Sequence, residues 1–204
     1  LDFLKEEYPE LQPVHRLDFE TSGVLIFART PQVLEKILSS RFAGWVKTYR
    51  ALIIGRPAQP KGSIDIPLTA RSGKGTVQVS TKYSVLNSFG PVGYVEAVIE
   101  RGQFHQIRRH FAAIQHPLVL DDEHGDKKFN KLFSKTFEYR RFFLHAISVD
   151  FPHPVTGTMT RIEAPLPRQF NDVLEKMKQR VEEMKRPPAP PKKGSVRPMQ
   201  KKRR

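Results

Sequence analysis

The chain has 204 residues, 38% of them hydrophobic, a formal net charge of +14 and no cysteine. That length suffices for one substantial core. The missing cysteines exclude disulfides, thiolate metal sites and Cys nucleophiles, and no apolar run approaches the roughly 20 residues needed to cross a bilayer. The charge is uneven, because residues 185–204 hold nine Lys or Arg and no Asp or Glu, leaving +5 on the remainder. A modestly basic body with a strongly basic end suits a polyanionic partner, nucleic acid before an anionic membrane.

Residue 1 is Leu rather than Met, so the chain is expected to begin inside a longer gene product. Val24 to Ala28 reads as a buried strand. Thr30-Pro31 then supplies an N-cap and a first-turn Pro, with Val33, Leu34, Ile37 and Leu38 on one face of a helix reaching about Phe42. Thr48 to Gly55 is the next strand, and Lys61 to Gly75 is rich in turn residues. Residues 76–86 and 93–101 are expected to pair as antiparallel strands across the Gly90-Pro91 turn.

A helix is expected to begin near His105, with Ile107, Phe111 and Ile114 on its apolar face, and to end at His116-Pro117. Phe142 to Phe151 and Met159 to Glu163 read as strands joined by the turn around Pro154 and Gly157. Phe170, Val173, Leu174, Met177, Val181 and Met184 repeat at helical spacing, which predicts a docked helix from about 168 to 185. The expected organisation is therefore an α+β catalytic domain over residues 1–186 and a disordered, basic, Pro-rich tail over 187–204.

Three separated segments carry the chemistry. The first is His15-Arg16-Leu17-Asp18-Phe19-Glu20-Thr21-Ser22-Gly23, an acid and bases around a turn. The second is Lys47-Thr48-Tyr49-Arg50-Ala51, and the third is Arg101-Gly102-Gln103-Phe104-His105-Gln106-Ile107-Arg108-Arg109-His110. Their order, with Phe151-Pro152-His153-Pro154 and Ala164-Pro165-Leu166-Pro167 beyond them, resembles the RluA-type pseudouridine synthases over roughly residues 11–167.

That resemblance implies a mixed, largely antiparallel sheet with flanking helices and a central RNA-binding cleft. It implies Asp18 as the essential catalytic residue, with Arg108 pairing and aiming it, Tyr49 holding the uracil and Ile107 forming an apolar wall. Arg16, Arg109 and His15 would contact RNA around a uridine turned out of its stack. It also implies that a strand preceding Leu1 in relatives is missing.

No metal or organic cofactor is required by this chemistry. His105 and His110 lie five apart rather than at the i, i+4 spacing of a helical zinc motif. The expected protein is a cytoplasmic monomer acting on RNA, tRNA first and ribosomal RNA second, with no membrane partner.

The tRNA preference rests on His124-Gly125-Asp126 followed by Asn130, which looks like the TruC branch, where relatives often carry Tyr-Gly. Two further departures are Leu120, where relatives commonly have Gly before Asp121, and the inverted order Arg101-Gly102. Each residue also has a plainer reading. Taken alone, Asp18 would be a turn cap, Tyr49 a strand-face aromatic, Ile107 core, and Arg108 and Arg109 solvated helix charges. A non-catalytic RNA-binding or RNA-folding protein on the same fold is the competing expectation.

Overall fold

The computed structural model describes residues 2–185, so the expected tail lies outside the described residues. The elements in chain order are α1 (Asp2–Glu7), β1 (Gln12–Pro13), β2 (Ser22–Gly23), β3 (Phe27–Ala28), α2 (Pro31–Ser39), β4 (Val46–Ile54), β5 (Lys61–Ile64) and β6 (Leu68–Thr69). They continue with β7 (Thr76–Val77), β8 (Thr81–Phe89), β9 (Val92–Ile99), α3 (Gln106–Ala113), α4 (Lys127–Phe137), β10 (Leu144–Pro152), β11 (Met159–Glu163) and α5 (Arg168–Lys185).

The main sheet runs β11-β10-β4-β9-β8-β5, every pair antiparallel, and β2 joins β10 in parallel. This is the expected α+β arrangement with a mixed, largely antiparallel sheet.

Strand periodicity explains the two faces. Tyr49 on β4 is opposite Ala97 on β9, and Ala97 is opposite Tyr83 on β8. The Tyr83 ring meets Phe111 of α3 edge-on at 5.8 Å, so α3 covers that face. One residue along, Arg50 pairs in register with Glu96 and forms an ion pair with it, while Leu52 lies opposite Tyr94. The Tyr94 ring contacts Phe170 of α5, which places α5 on the other face. Phe170, Val173 and Met177 are all buried there, as their helical spacing predicts.

A second, smaller core joins Val14, Val24, Ala28, Ile37, Trp45, Val149 and Phe151, with Trp45 stacked on Phe151 at 4.7 Å. It packs the flanks of the His15–Gly23 loop against the sheet.

Several elements differ from the sequence reading. The run Val24 to Ala28 is not one strand, because its chain changes partners: the Val24 amide donates to the Ala146 carbonyl, whereas the Ile26 carbonyl accepts from Val14. Helix α2 has the expected Thr30 cap but stops at Ser39. Arg41 and Phe42 then adopt left-handed backbone, at φ 51° and 58°, and the Phe42 ring turns onto Trp45.

Lys61 to Ile64, expected as turn, pairs with β8, and the expected strand over 76–86 is broken between β7 and β8. Helix α3 ends at Ala113, before Ile114. Helix α4 was not foreseen. It is capped by Asp126, whose carboxylate accepts from the Lys128 and Phe129 amides.

Candidate active site

The catalytic-loop candidate is built as a tight turn docked on the central sheet. The Asp18 carbonyl accepts the Thr21 amide at 2.9 Å, and Ser22-Gly23 immediately pairs with His145-Ala146. Gly23 has φ 115°, and a Cβ there would lie 2.1 Å from the Ala146 carbonyl oxygen, so only Gly allows this approach. The Ser22 hydroxyl meets His145 Nδ1 at 2.9 Å, and the Phe142 amide donates to Glu20 at 3.2 Å. The loop is tied down by these bonds, and the Asp18 side chain is left free of capping.

The turn presents the Asp18 carboxylate to a cavity of about 580 Å³ lined by all three motif segments. Arg108 Nη1 lies 3.6 Å from Asp18 Oδ2, and His105 Nε2 lies 3.8 Å from Oδ1. The resemblance made Asp18 the partner of Arg108, and to that 3.6 Å ion pair the structure adds a second, closer partner, Asp121. Arg108 binds Asp121 through two short bonds, Nε to Oδ2 at 2.6 Å and Nη2 to Oδ1 at 2.8 Å, and reaches Asp18 only with its remaining nitrogen. A bidentate carboxylate fixes the guanidinium plane, and the outer nitrogen is thereby aimed.

Asp121 is itself held on all sides. Its Oδ1 accepts the Glu123 and His124 amides, and its carbonyl accepts Gly125 N and Asn130 Nδ2. Burial alone would raise its carboxyl, but the bonds from Arg108 and His124 outweigh that and hold it below the ordinary range. Leu120 sits at φ 66°, a left-handed conformation natural to Gly, the residue that the resemblance puts at this position.

Tyr49 and Lys47 rise from the same face of β4 into the cavity, two residues apart. Burial first, and the Asp18 charge second, push the Tyr49 phenol well above its usual value, so it stays protonated. Ile107 is buried in the main core and also lines the cavity.

His15 lines the cavity too, but its Nε2 accepts the Ile26 amide at 3.3 Å. Burial, then Lys47, lower it to about 4, leaving a neutral ring near pH 7. Arg16 is exposed at the cavity. Arg109 is not brought to the cavity, because its Nη1 donates to the Thr69 and Phe104 carbonyls and braces α3 against β6.

Sequence reasoning missed four residues. Lys47 was visible within the second motif, since alternation puts it on the face of Tyr49. Asp121 was visible as the acid after Leu120. His105 takes a left-handed φ of 51° that turns its ring toward Asp18, which no spacing reveals. Phe19, next to Asp18, is 92% exposed, with the Arg141 guanidinium 5.9 Å from its ring centre.

Lys47 is only 7% exposed and forms no ion pair among the described residues, although its ammonium faces the Phe42 and Trp45 rings at 5.3 and 5.9 Å. Burial lowers it to about 8. Below that pH the buried charge costs stability, and the cost is relieved as pH rises from about 8 toward the ordinary Lys value near 10.5. Lys47→Met is expected to raise stability at pH 7 by up to roughly 3 kcal/mol and to flatten stability between those pH values. Denaturant melts across pH 7–10.5 check this; a destabilised variant rejects it.

Distant segments of the chain thus converge on one carboxylate, with a phenol, an aimed guanidinium and an apolar wall around it. Residues 2–113 match the family model described as RNA pseudouridylate synthase, and the chain belongs to that family.

Among relatives, it is 33% identical over 190 residues to "Ribosomal large subunit pseudouridine synthase C" of Salmonella typhi, covering 87% of this chain and 60% of the relative. It is 34% identical over 187 residues to the protein of the same name from Escherichia coli strain K12, covering 86% and 59%. The chain thus spans about 60% of the length of these curated relatives.

The fold is that of human RNA Pseudouridylate Synthase Domain Containing 4, with a TM-score of 0.70, 24% identity and coverage of 82% of this chain and 76% of that one. It is also that of human RNA Pseudouridylate Synthase Domain Containing 1, with a TM-score of 0.66, 20% identity and coverage of 86% and 83%. No helix among the described residues is long and apolar enough to cross a membrane.

Proposed function

We propose that this chain isomerises a particular uridine of a structured RNA to pseudouridine, with Asp18 as the catalytic residue. The observation that carries the reading is the Asp18 carboxylate itself, uncapped and facing the cavity while Arg108, locked by Asp121, lies 3.6 Å away. In the reaction the bond from ribose to N1 breaks, the uracil turns, and C5 bonds to the same ribose carbon. A base then removes the C5 proton. The Asp18 carboxylate serves either as nucleophile at the sugar or as base toward it. Tyr49 and Ile107 hold the detached uracil between a phenol and an apolar wall, and the Lys47 ammonium attracts the anionic backbone or a uracil oxygen.

The uridine must leave its stack to reach Asp18. Arg16 lines that entry, and Phe19, exposed on the same loop, stacks on a base beside the extruded nucleotide. Stacking on an aromatic side chain contributes about 1–3 kcal/mol per base. Phe19→Ala is therefore expected to weaken RNA binding roughly tenfold with an unchanged melting temperature. Fluorescence anisotropy checks this, and equal affinities would remove Phe19 from the interface.

Ribosomal RNA is the favoured substrate, because the relatives at 33–34% identity are named for the large ribosomal subunit. The features behind the tRNA expectation have work inside the fold. A Cβ on Gly125 would lie 2.1 Å from the Asp121 carbonyl oxygen, Asp126 caps α4, and Asn130 braces Leu120 and Asp121. Tritium release from C5-labelled uridine, comparing large-subunit ribosomal RNA with tRNA, tests both levels. Release from ribosomal RNA alone supports the reading, release from tRNA alone restores the second substrate, and release from neither leaves the RNA-binding protein as the better account.

A further inference from the structure

Beside the catalytic candidate, three side chains from two separate segments converge, and the isomerisation as proposed above uses none of them. His105 comes from the N-cap of α3, whereas Glu123 and His124 come from the turn that follows Asp121. His105 Nδ1 lies 3.2 Å from His124 Nε2 and 3.3 Å from Glu123 Oε2, and His124 Nε2 lies 3.5 Å from Glu123 Oε1. Zinc binds imidazole nitrogen and carboxylate oxygen at about 2.0–2.2 Å in tetrahedral geometry, which sets neighbouring ligand atoms about 3.3–3.5 Å apart. The separation of the two imidazole nitrogens is close to one edge of such a tetrahedron, each lies 3.3–3.5 Å from one of the two Glu123 oxygens, and one ligand atom from each residue falls within 4.8 Å of the others.

We propose that His105, Glu123 and His124 form a site for a zinc-type divalent cation, and that filling it restrains Asp18 and stops the isomerisation. Two imidazoles and one carboxylate select borderline metals over magnesium or calcium, which prefer all-oxygen shells. The electrostatics admit a cation, since Asp18, Asp121 and Glu123 surround the single guanidinium of Arg108. Arg108 lies 3.5 Å from Glu123, and releasing that contact leaves its two bonds to Asp121 in place. The Glu123 side chain is 56% exposed, which gives the ion a route in and leaves a fourth position for water.

The coupling to Asp18 follows from the two nitrogens of one ring. When Nδ1 of a histidine ligates a metal, Nε2 keeps its hydrogen and is commonly satisfied by a carboxylate. Here the facing carboxylate is Asp18, 3.8 Å from His105 Nε2, an approach that must shorten by under about 1 Å to become that hydrogen bond. An occupied site makes Asp18 the hydrogen-bond acceptor of a metal-polarised imidazole, which withdraws it from the substrate. The helical i, i+4 rule applied to His105 and His110 could not find this site, because the second imidazole arrives from a turn 19 residues away.

The inhibitory half rests on the function proposed above, whereas the binding half does not. The test titrates the chain with Zn2+ against a chromophoric chelator and, separately, with Co2+, reading the visible bands of a tetrahedral site. One equivalent bound with micromolar affinity or better is expected, weakened at least tenfold in both His124→Ala and Glu123→Gln, with Mg2+ not competing. Stoichiometric Zn2+ should abolish tritium release by the unaltered chain. His124→Ala should keep its metal-free activity and resist that inhibition. Absent binding, or binding equally tight in both variants, overturns the site, and binding without inhibition of an active chain overturns the coupling. A chain inactive on every RNA counts against the proposed function, and the chelator titration still decides the site.

Discussion

Asp18→Asn should lose tritium release by about a thousandfold or more while binding the same RNA with little change, since a positioned base or nucleophile contributes on that scale. The substitution keeps the shape of the side chain and removes only its charge and basicity. Little in the fold depends on that charge. The turn is closed by the Asp18 main chain, through its carbonyl and the Thr21 amide, and Arg108 retains its two bonds to Asp121. A normal melting temperature with activity gone would therefore assign Asp18 to chemistry. Undiminished release would reject it as the catalytic residue, and a collapse in stability would revive the plainer reading of a structural turn acid.

The parts of the fold legible in advance were those with a long or punctuated pattern. Six apolar positions at helical spacing outlined α5, which runs from Arg168 to Lys185 as the period indicated. Strand β11 was bounded by the turn at Gly157, whose φ of 73° needs a Gly. Helix α4 was hidden because Lys127 to Phe137 is mostly polar and buries little beyond Asn130 and Phe133. The break after Gly23 was hidden because apolar composition says a segment is buried, not which neighbour accepts its amides.

The candidate site shows the same division. Asp18, Tyr49, Ile107, Arg16 and His15 all line one cavity although their segments are far apart in sequence. What could not be seen was connectivity between turns. The bond from Arg108 to Asp121 and the imidazole beside His105 depend on how the 120–126 turn meets α3. Arg109 shows the converse, since a helix Arg next to a functional one was drawn to backbone carbonyls instead.

Asp121→Ala should be the most destabilising single change at the site, by about 3–5 kcal/mol, because it leaves the buried Arg108 charge without its main partner. For a chain of this length that corresponds to a melting temperature lower by about 10 °C. Asp121 is fully buried, and its carboxylate also satisfies the Glu123 and His124 amides, so the loss extends through the whole turn. Its folded carboxyl titrates below the ordinary value. The stabilisation is therefore complete above about pH 4 and disappears as pH falls through the lower folded value. Combining Arg108→Met with Asp121→Leu removes both charges and should recover most of the lost stability, as apolar replacements of buried ion pairs do. Activity should not return, because no guanidinium then faces Asp18 from α3. If Asp121→Ala instead melts within about 2 °C of the unaltered chain, or if the double variant is as active as the original, Arg108 is not aimed by Asp121. The 3.6 Å approach to Asp18 would then need another cause.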